Sequence, residues 1–173
     1  MRQQKPPQEI NSLLQAELEE MADRDQHVRR EWAKNKQDAQ IIQEWDAVDA
    51  VNLVRFKQIV EEYGWPGKSS VGETGARSAF LLAQHADADP EFQAHCLDLM
   101  QSVLEQGEVF PADYALLTDR VLVATKQKQR YGSQVQHAEQ GQVTLWPVED
   151  EVNLDERRKS VGLMPIEEYK KLF

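Results

Sequence analysis

Apolar residues in this chain recur at steps of three and four, the spacing that places side chains on one face of a helix. Within 9–32 the positions Ile10, Leu14, Leu18, Met21, Val28 and Trp32 form such a face. The spacing returns with Ile41, Trp45, Val48, Phe56, Ile59 and Val60 inside 37–62, and with Phe92, Cys96, Leu99 and Val103 inside 90–106. A further helix is predicted over 74–86, with Ser78, Leu81, Leu82 and His85 on one side. Breakers separate these segments. YGWPG ends the second helix, because Gly64 can take a left-handed backbone and Pro66 biases Trp65 towards an extended one, so 63–70 should form an ordered aromatic turn. Asp89-Pro90 opens the fourth as N-cap and first-turn proline, and Gly107 stops it.

The helix predicted from Pro111 differs in kind. Tyr114, Leu117, Val121 and Ala124 make one stripe, and Leu116 and Val123 make a second that contains Arg120, so the helix is expected to lie centrally. After KQKQ the period changes. The segments 131–136 and 142–146, separated by a stretch containing Gly141, predict a short hairpin. A short helix over 155–160, a stop at Gly162 and a terminal helix opening with Pro165 complete the chain. The expectation is a mainly α fold, a single-domain bundle of six or seven helices over 8–173 with a small late β hairpin, behind a disordered 1–7.

Composition narrows the function classes. With 173 residues the chain can bury a core without disulfides or metal. Thirty acidic residues against twenty basic ones give a formal charge of −10, which repels a nucleic-acid duplex or an anionic membrane over most of the surface. Neither is expected as a partner. The lone cysteine, Cys96 in HCLDLM, is expected to be an inert core thiol. No apolar run is long enough to span a membrane and MRQQKPPQEI has no apolar signal core, so a cytoplasmic protein is expected. No glycine-rich phosphate loop, paired CxxC, HExxH or GxSxG occurs, and no motif calls for a cofactor.

Polar residues nevertheless interrupt the apolar faces. After Leu18 and Met21 the next inward position is Asp25, with Arg29 one turn later, either as a half-exposed ion pair or as a carboxylate turned into a polar cavity. Asp49 and Asn52 sit close to the apolar side of the second helix. In AFLLAQHADAD, His85 closes a mostly apolar face at the carbonyl end of its helix. The HxDxD spacing of His85, Asp87 and Asp89 is better explained by Asp89 as a helix cap than by a metal site. Arg120 keeps its charge at any ordinary pH and so requires a carboxylate, carbonyls or an anion, and Asp119 next to it points elsewhere.

The ordered set DRDQHVRR, GWP, QHADAD, TDR, QRYGSQ and DERRKSVGLMPIEEY resembles a bacterial domain family of unknown function, over nearly the whole chain. The family pattern has Thr where this chain has Ser133, which preserves a hydroxyl. The resemblance implies a shared fold and a shared polar centre, with signature positions at Asp25, Gln26, Arg29, His85, Asp119, Arg120, Gln129, Tyr131, Gln134, Arg157 and Arg158. It supplies no activity.

Two functions fit these residues. In the first, Arg120 and one of Arg157 or Arg158 bind the carboxylate or phosphate of a small anionic or polar ligand, with Gln129, Gln134 and Tyr131 as further ligand-binding residues. His85, tuned by Asp25 or a nearby carboxylate, then serves as general acid or base in a hydrolysis or group transfer. In the second, the same residues form a structural network in which Arg120 pairs with Asp25 or Asp49 and His85 bonds a backbone carbonyl, leaving the surface for a protein partner. EEYKKLF and the first helix are the candidate docking segments for an adaptor role.

Overall fold

Asn11 starts the first helix by accepting the backbone N–H of Leu14 in its side chain. In this computed structural model, which describes residues 9–137 and 143–173, that helix is α1 (Ser12–Lys34). Ile10 lies ahead of the cap and is exposed, so the apolar face begins at Leu14. Leu18, Met21 and Val28 then follow in full burial. Asp38 caps α2 (Ala39–Tyr63) through the N–H groups of Gln40 and Ile41, and Gly64 ends it at φ +70°.

The predicted turn over 63–70 is shorter than expected. Backbone helix resumes at Lys68 in α3 (Lys68–Gln84), which is broken at Gly72, where φ is +70° and ψ 174°. The helical run beyond that break matches the segment the sequence predicts from 74. Asp89 accepts the N–H of Phe92, with Pro90 in the first turn, and so caps α4 (Pro90–Leu104) as expected. In α4 the buried apolar positions include Phe92, Cys96 and Met100, whereas Leu99 and Val103 are only half-buried.

The chain divides into two compact units, one up to Val109 and one from Phe110 to Phe173. In the first, α1 packs against α2 and most extensively against α3. Small buried residues on α3, namely Gly75, Ala76, Ala79 and Ala83, permit that approach. A Cβ on Gly75 would already lie 3.3 Å from Gln15 Cγ of α1 and 2.9 Å from Val71 Cβ. Phe56 anchors the other side, edge-on to Trp65 and to Phe92. Burying each large apolar side chain of this kind contributes about 1.5–3 kcal/mol.

The second unit begins with α5 (Pro111–Ala124). Its C-terminus closes with two bonds, Lys126 N–H to the carbonyl of Val123 and Gln127 N–H to that of Leu122. This closure puts Lys126 at φ +60°, a conformation that costs a non-glycine residue about 1–2 kcal/mol. The predicted hairpin is present as β1 (Val135–His137) and β2 (Val143–Leu145), antiparallel, with Val135 opposite Leu145. Two short helices follow, α6 (Leu154–Ser160) and α7 (Ile166–Lys170). Val148, Leu154 and Ile166 form a small core with Leu145 and Tyr169 packed on it. Gly132 sits against this core at φ +66°, where a Cβ would meet Ile166 Cδ1 at 3.2 Å.

The fold is therefore mainly α, with seven helices among the described residues and one small late hairpin. Among the described residues no helix is long and apolar enough to cross a membrane. The expectations for 1–7 and for Gly141 concern positions outside the described residues.

Candidate functional site

In the first unit, Asp25 is 1 % exposed and projects from α1 between three donors. Arg29 Nη1, one turn along the helix, reaches Asp25 Oδ1 at 2.5 Å, Gln26 Nε2 reaches Oδ2 at 2.8 Å, and His85 Nδ1 lies 2.9 Å from each oxygen. A carboxylate accepts, so Nδ1 of the ring donates to it and Nε2 points away from Asp25. Gln84 Nε2 lies 3.3 Å from that second nitrogen. His85 is the C-cap of α3, and its side chain keeps 14 % of its surface exposed.

The arginine of this cluster is bonded on a second side. Arg29 Nη1 and Nη2 each lie 3.0 Å from a different oxygen of Asp49 on α2, a fork that matches the carboxylate. Trp45, one turn before Asp49, donates its indole N–H to Oδ2 at 2.7 Å and presents its ring face to the guanidinium at 4.7 Å. Both carboxylates that the structural network assigned to Arg120 are therefore held by Arg29. His85 bonds a carboxylate rather than the backbone carbonyl expected there, and the Asp25–Arg29 pair is buried on its acidic side rather than half-exposed. Beside it, Asp25, Asp49, Asn52, Leu82 and His85 line a cavity of about 10 Å³, room for a single water.

Gln93 was not legible as part of this arrangement. It is 1 % exposed and donates to the carbonyls of Ala83 and Gln84 and to Asp87 Oδ1, satisfying the open end of α3 next to His85. Its position one residue after the apolar Phe92 gave no periodic signal. Trp45 was legible only as an apolar residue.

In the second unit two carboxylates of α5 are buried, Asp113 and the fully enclosed Asp119, whereas Arg120 is half-buried. Asp119 accepts the backbone N–H groups of Arg130, Tyr131 and Ser133 at 2.7–3.1 Å and so fastens the QRYGSQ loop to the helix. Gln129, also fully buried, donates its amide to the carbonyls of Gln134 and Trp146 and accepts the N–H of Gln134. Arg158, 1 % exposed, donates to the carbonyls of Met164 and Tyr131 and stacks over the Tyr169 ring at 4.8 Å. Burial moves its pKa down and moves those of the Tyr131 and Tyr169 phenols up.

Arg157 donates to the carbonyls of Arg130 and Asp150 and pairs with the Asp150 carboxylate at 3.2 Å. The Gln134 amide donates to Ser133 Oγ at 3.2 Å, and Ser133 offers its carbonyl to the Tyr169 hydroxyl. Of the expected ligand-binding residues, Gln129, Arg157 and Arg158 thus bond main-chain carbonyls of their own unit.

Among the described residues no group of three His, Cys, Asp or Glu side chains is placed to hold a metal ion. Burial pushes the Cys96 thiol up to about 12, as suits a core residue rather than a nucleophile. No curated protein and no solved structure matches the chain. A family model does match, over residues 12–173, and the chain belongs to that family, described as a family of unknown function (DUF6624).

Proposed function

We propose that the protein acts on a small polar or anionic substrate by hydrolysis or group transfer, with His85 as general acid or base and Asp25 as the group that orients it. The observation that carries this reading is the pair of 2.9 Å contacts from His85 Nδ1 to a buried carboxylate. Such a contact fixes the ring and its tautomer and leaves Nε2 to take a proton from a nucleophile or to return one to a leaving group. The adjoining cavity admits water and nothing larger, so a substrate meets His85 at its exposed edge. Separately from that site, Arg120, Tyr131 and Gln134 of the second unit are proposed contacts for a carboxylate or phosphate, and Gln129, Arg157 and Arg158 hold the loop that carries Tyr131 and Gln134. The protein is proposed to work in the bacterial cytoplasm.

The test compares wild type with His85→Gln on p-nitrophenyl acetate and p-nitrophenyl phosphate. A general base is worth about 10²–10⁴ in rate, and the variant should lose that much while keeping its melting temperature. Equal rates in the two proteins, or no turnover by the wild type, would remove the proposal.

A second reading, a non-enzymatic domain in which the polar residues form a core network and the surface binds a protein, is favoured by Asp119. Its carboxylate is spent on three backbone N–H groups, which is how a loop is fixed rather than how a ligand is met.

A further inference from the structure

Most of this surface repels anions, yet KQKQR at 126–130 carries three basic residues and no acidic one. That run follows the end of α5 and borders a hollow of about 940 Å³ lined by Val123, Ala124, Lys126, Lys128, Trp146 and Pro147 among others. The volume is that of a small-molecule site, and the lining is apolar with a few polar groups, as such sites are. Trp32, Trp45 and Trp65 each pack edge-on against another ring, whereas Trp146 leaves 40 % of its surface exposed.

Lys126 adds an independent observation. It holds the left-handed position that closes α5, where glycine fits without strain, and the chain places a long cation there instead. Lys126, Lys128 and Trp146 all line the same hollow.

We propose that this hollow binds a small anion that carries a planar ring, the ring stacking on Trp146 and the anionic group meeting Lys126 and Lys128. Either a nucleoside phosphate or an aromatic carboxylate has this chemistry. Stacking on an indole tolerates any flat π-face, so Trp146 contributes affinity, and the lysines select for negative charge. Glu151 also lines the hollow and disfavours the anionic group on its side, which orients the ligand. This site lies within the second unit and does not depend on His85.

Isothermal titration of the full chain with adenosine monophosphate, 2-naphthoate and adenosine tests the assignment. Saturable binding of either anionic probe, with adenosine much weaker, supports it. Lys126→Gly combined with Lys128→Gln should weaken that binding about tenfold through loss of charged hydrogen bonds. Trp146→Leu should weaken it about tenfold through loss of stacking. All three substitutions fall at exposed positions, and Lys126→Gly relieves the left-handed backbone, so melting temperatures should hold or rise. No saturable binding of either anion, adenosine binding as tightly as its phosphate, or affinity unchanged in both variants overturns the proposal. A polyglutamate peptide that competes as well as the ring-bearing anions also overturns it, because charge alone then suffices.

Discussion

The imidazole Nδ1 of His85 lies 2.9 Å from both carboxylate oxygens of Asp25, a residue sixty positions earlier in the chain. Arg29 holds the same carboxylate from the adjacent turn of α1 and reaches Asp49 on α2, so three helices share one ion cluster. Removing any member changes the charge that the others experience, and the first prediction concerns its most buried one.

Asp25→Ala leaves the His85 Nδ1–H without an acceptor and Arg29 with Asp49 alone. Breaking a buried charged pair in this way costs about 3 kcal/mol or more. Urea denaturation should show the midpoint falling with little change in slope. A variant within about 0.5 kcal/mol of wild type would mean that the cluster adds nothing to stability.

His85→Ala, Arg120→Ala and Gln134→Ala separate a functional site from a structural network. Sites are commonly built at a cost to stability, so under the proposed function all three should melt near or above the wild-type temperature. For Gln134 the geometry is already explicit, since its amide makes one 3.2 Å bond to Ser133 Oγ and its truncation should cost less than about 1 kcal/mol. Large losses in all three melting curves would instead support the core network.

Asp119→Asn keeps size and shape but replaces one accepting oxygen by an NH₂ that faces backbone N–H groups. Because Arg130, Tyr131 and Ser133 all donate to that carboxylate, the substitution should destabilise by about 2–4 kcal/mol. Amide hydrogen exchange at 130, 131 and 133 should accelerate before exchange in α1–α4. Unchanged protection at these three amides would contradict the role given to Asp119.

Cys96 has its pKa pushed up to about 12 from 9.0, by burial first and the Asp89 charge second. Between those pH values the unfolded thiol releases its proton while the folded one keeps it. Its contribution to stability is therefore complete below pH 9 and declines as pH rises towards 12, by at most about 1.4 kcal/mol per pH unit. Wild type should lose stability faster than Cys96→Ala between pH 9 and 10.5, measured by urea denaturation. Iodoacetamide should label the native thiol only as fast as the protein unfolds.

The sequence by itself determined most helix boundaries, the start of α3 at Lys68 rather than 74 being the exception. Asn11, Asp38 and Asp89 cap from their own backbone neighbourhood, Gly64 and Gly162 take the left-handed conformations of helix ends, and the change of period after KQKQ marks the hairpin. These choices rest on interactions spanning three or four residues, which a single sequence contains in full. Beyond the Asp25–Arg29 pair one turn apart on α1, tertiary structure decided which polar groups meet. Asp119 and Arg120 are adjacent, and periodicity singled out Arg120, yet the loop at 130–133 offers N–H donors that only the carboxylate can accept, so Asp119 takes the buried place. Arg29 in turn acquired Asp49, and His85 acquired Asp25, because helices far apart in the chain pack side by side. A charge is buried only where its partners arrive, and their arrival is a property of the assembled fold.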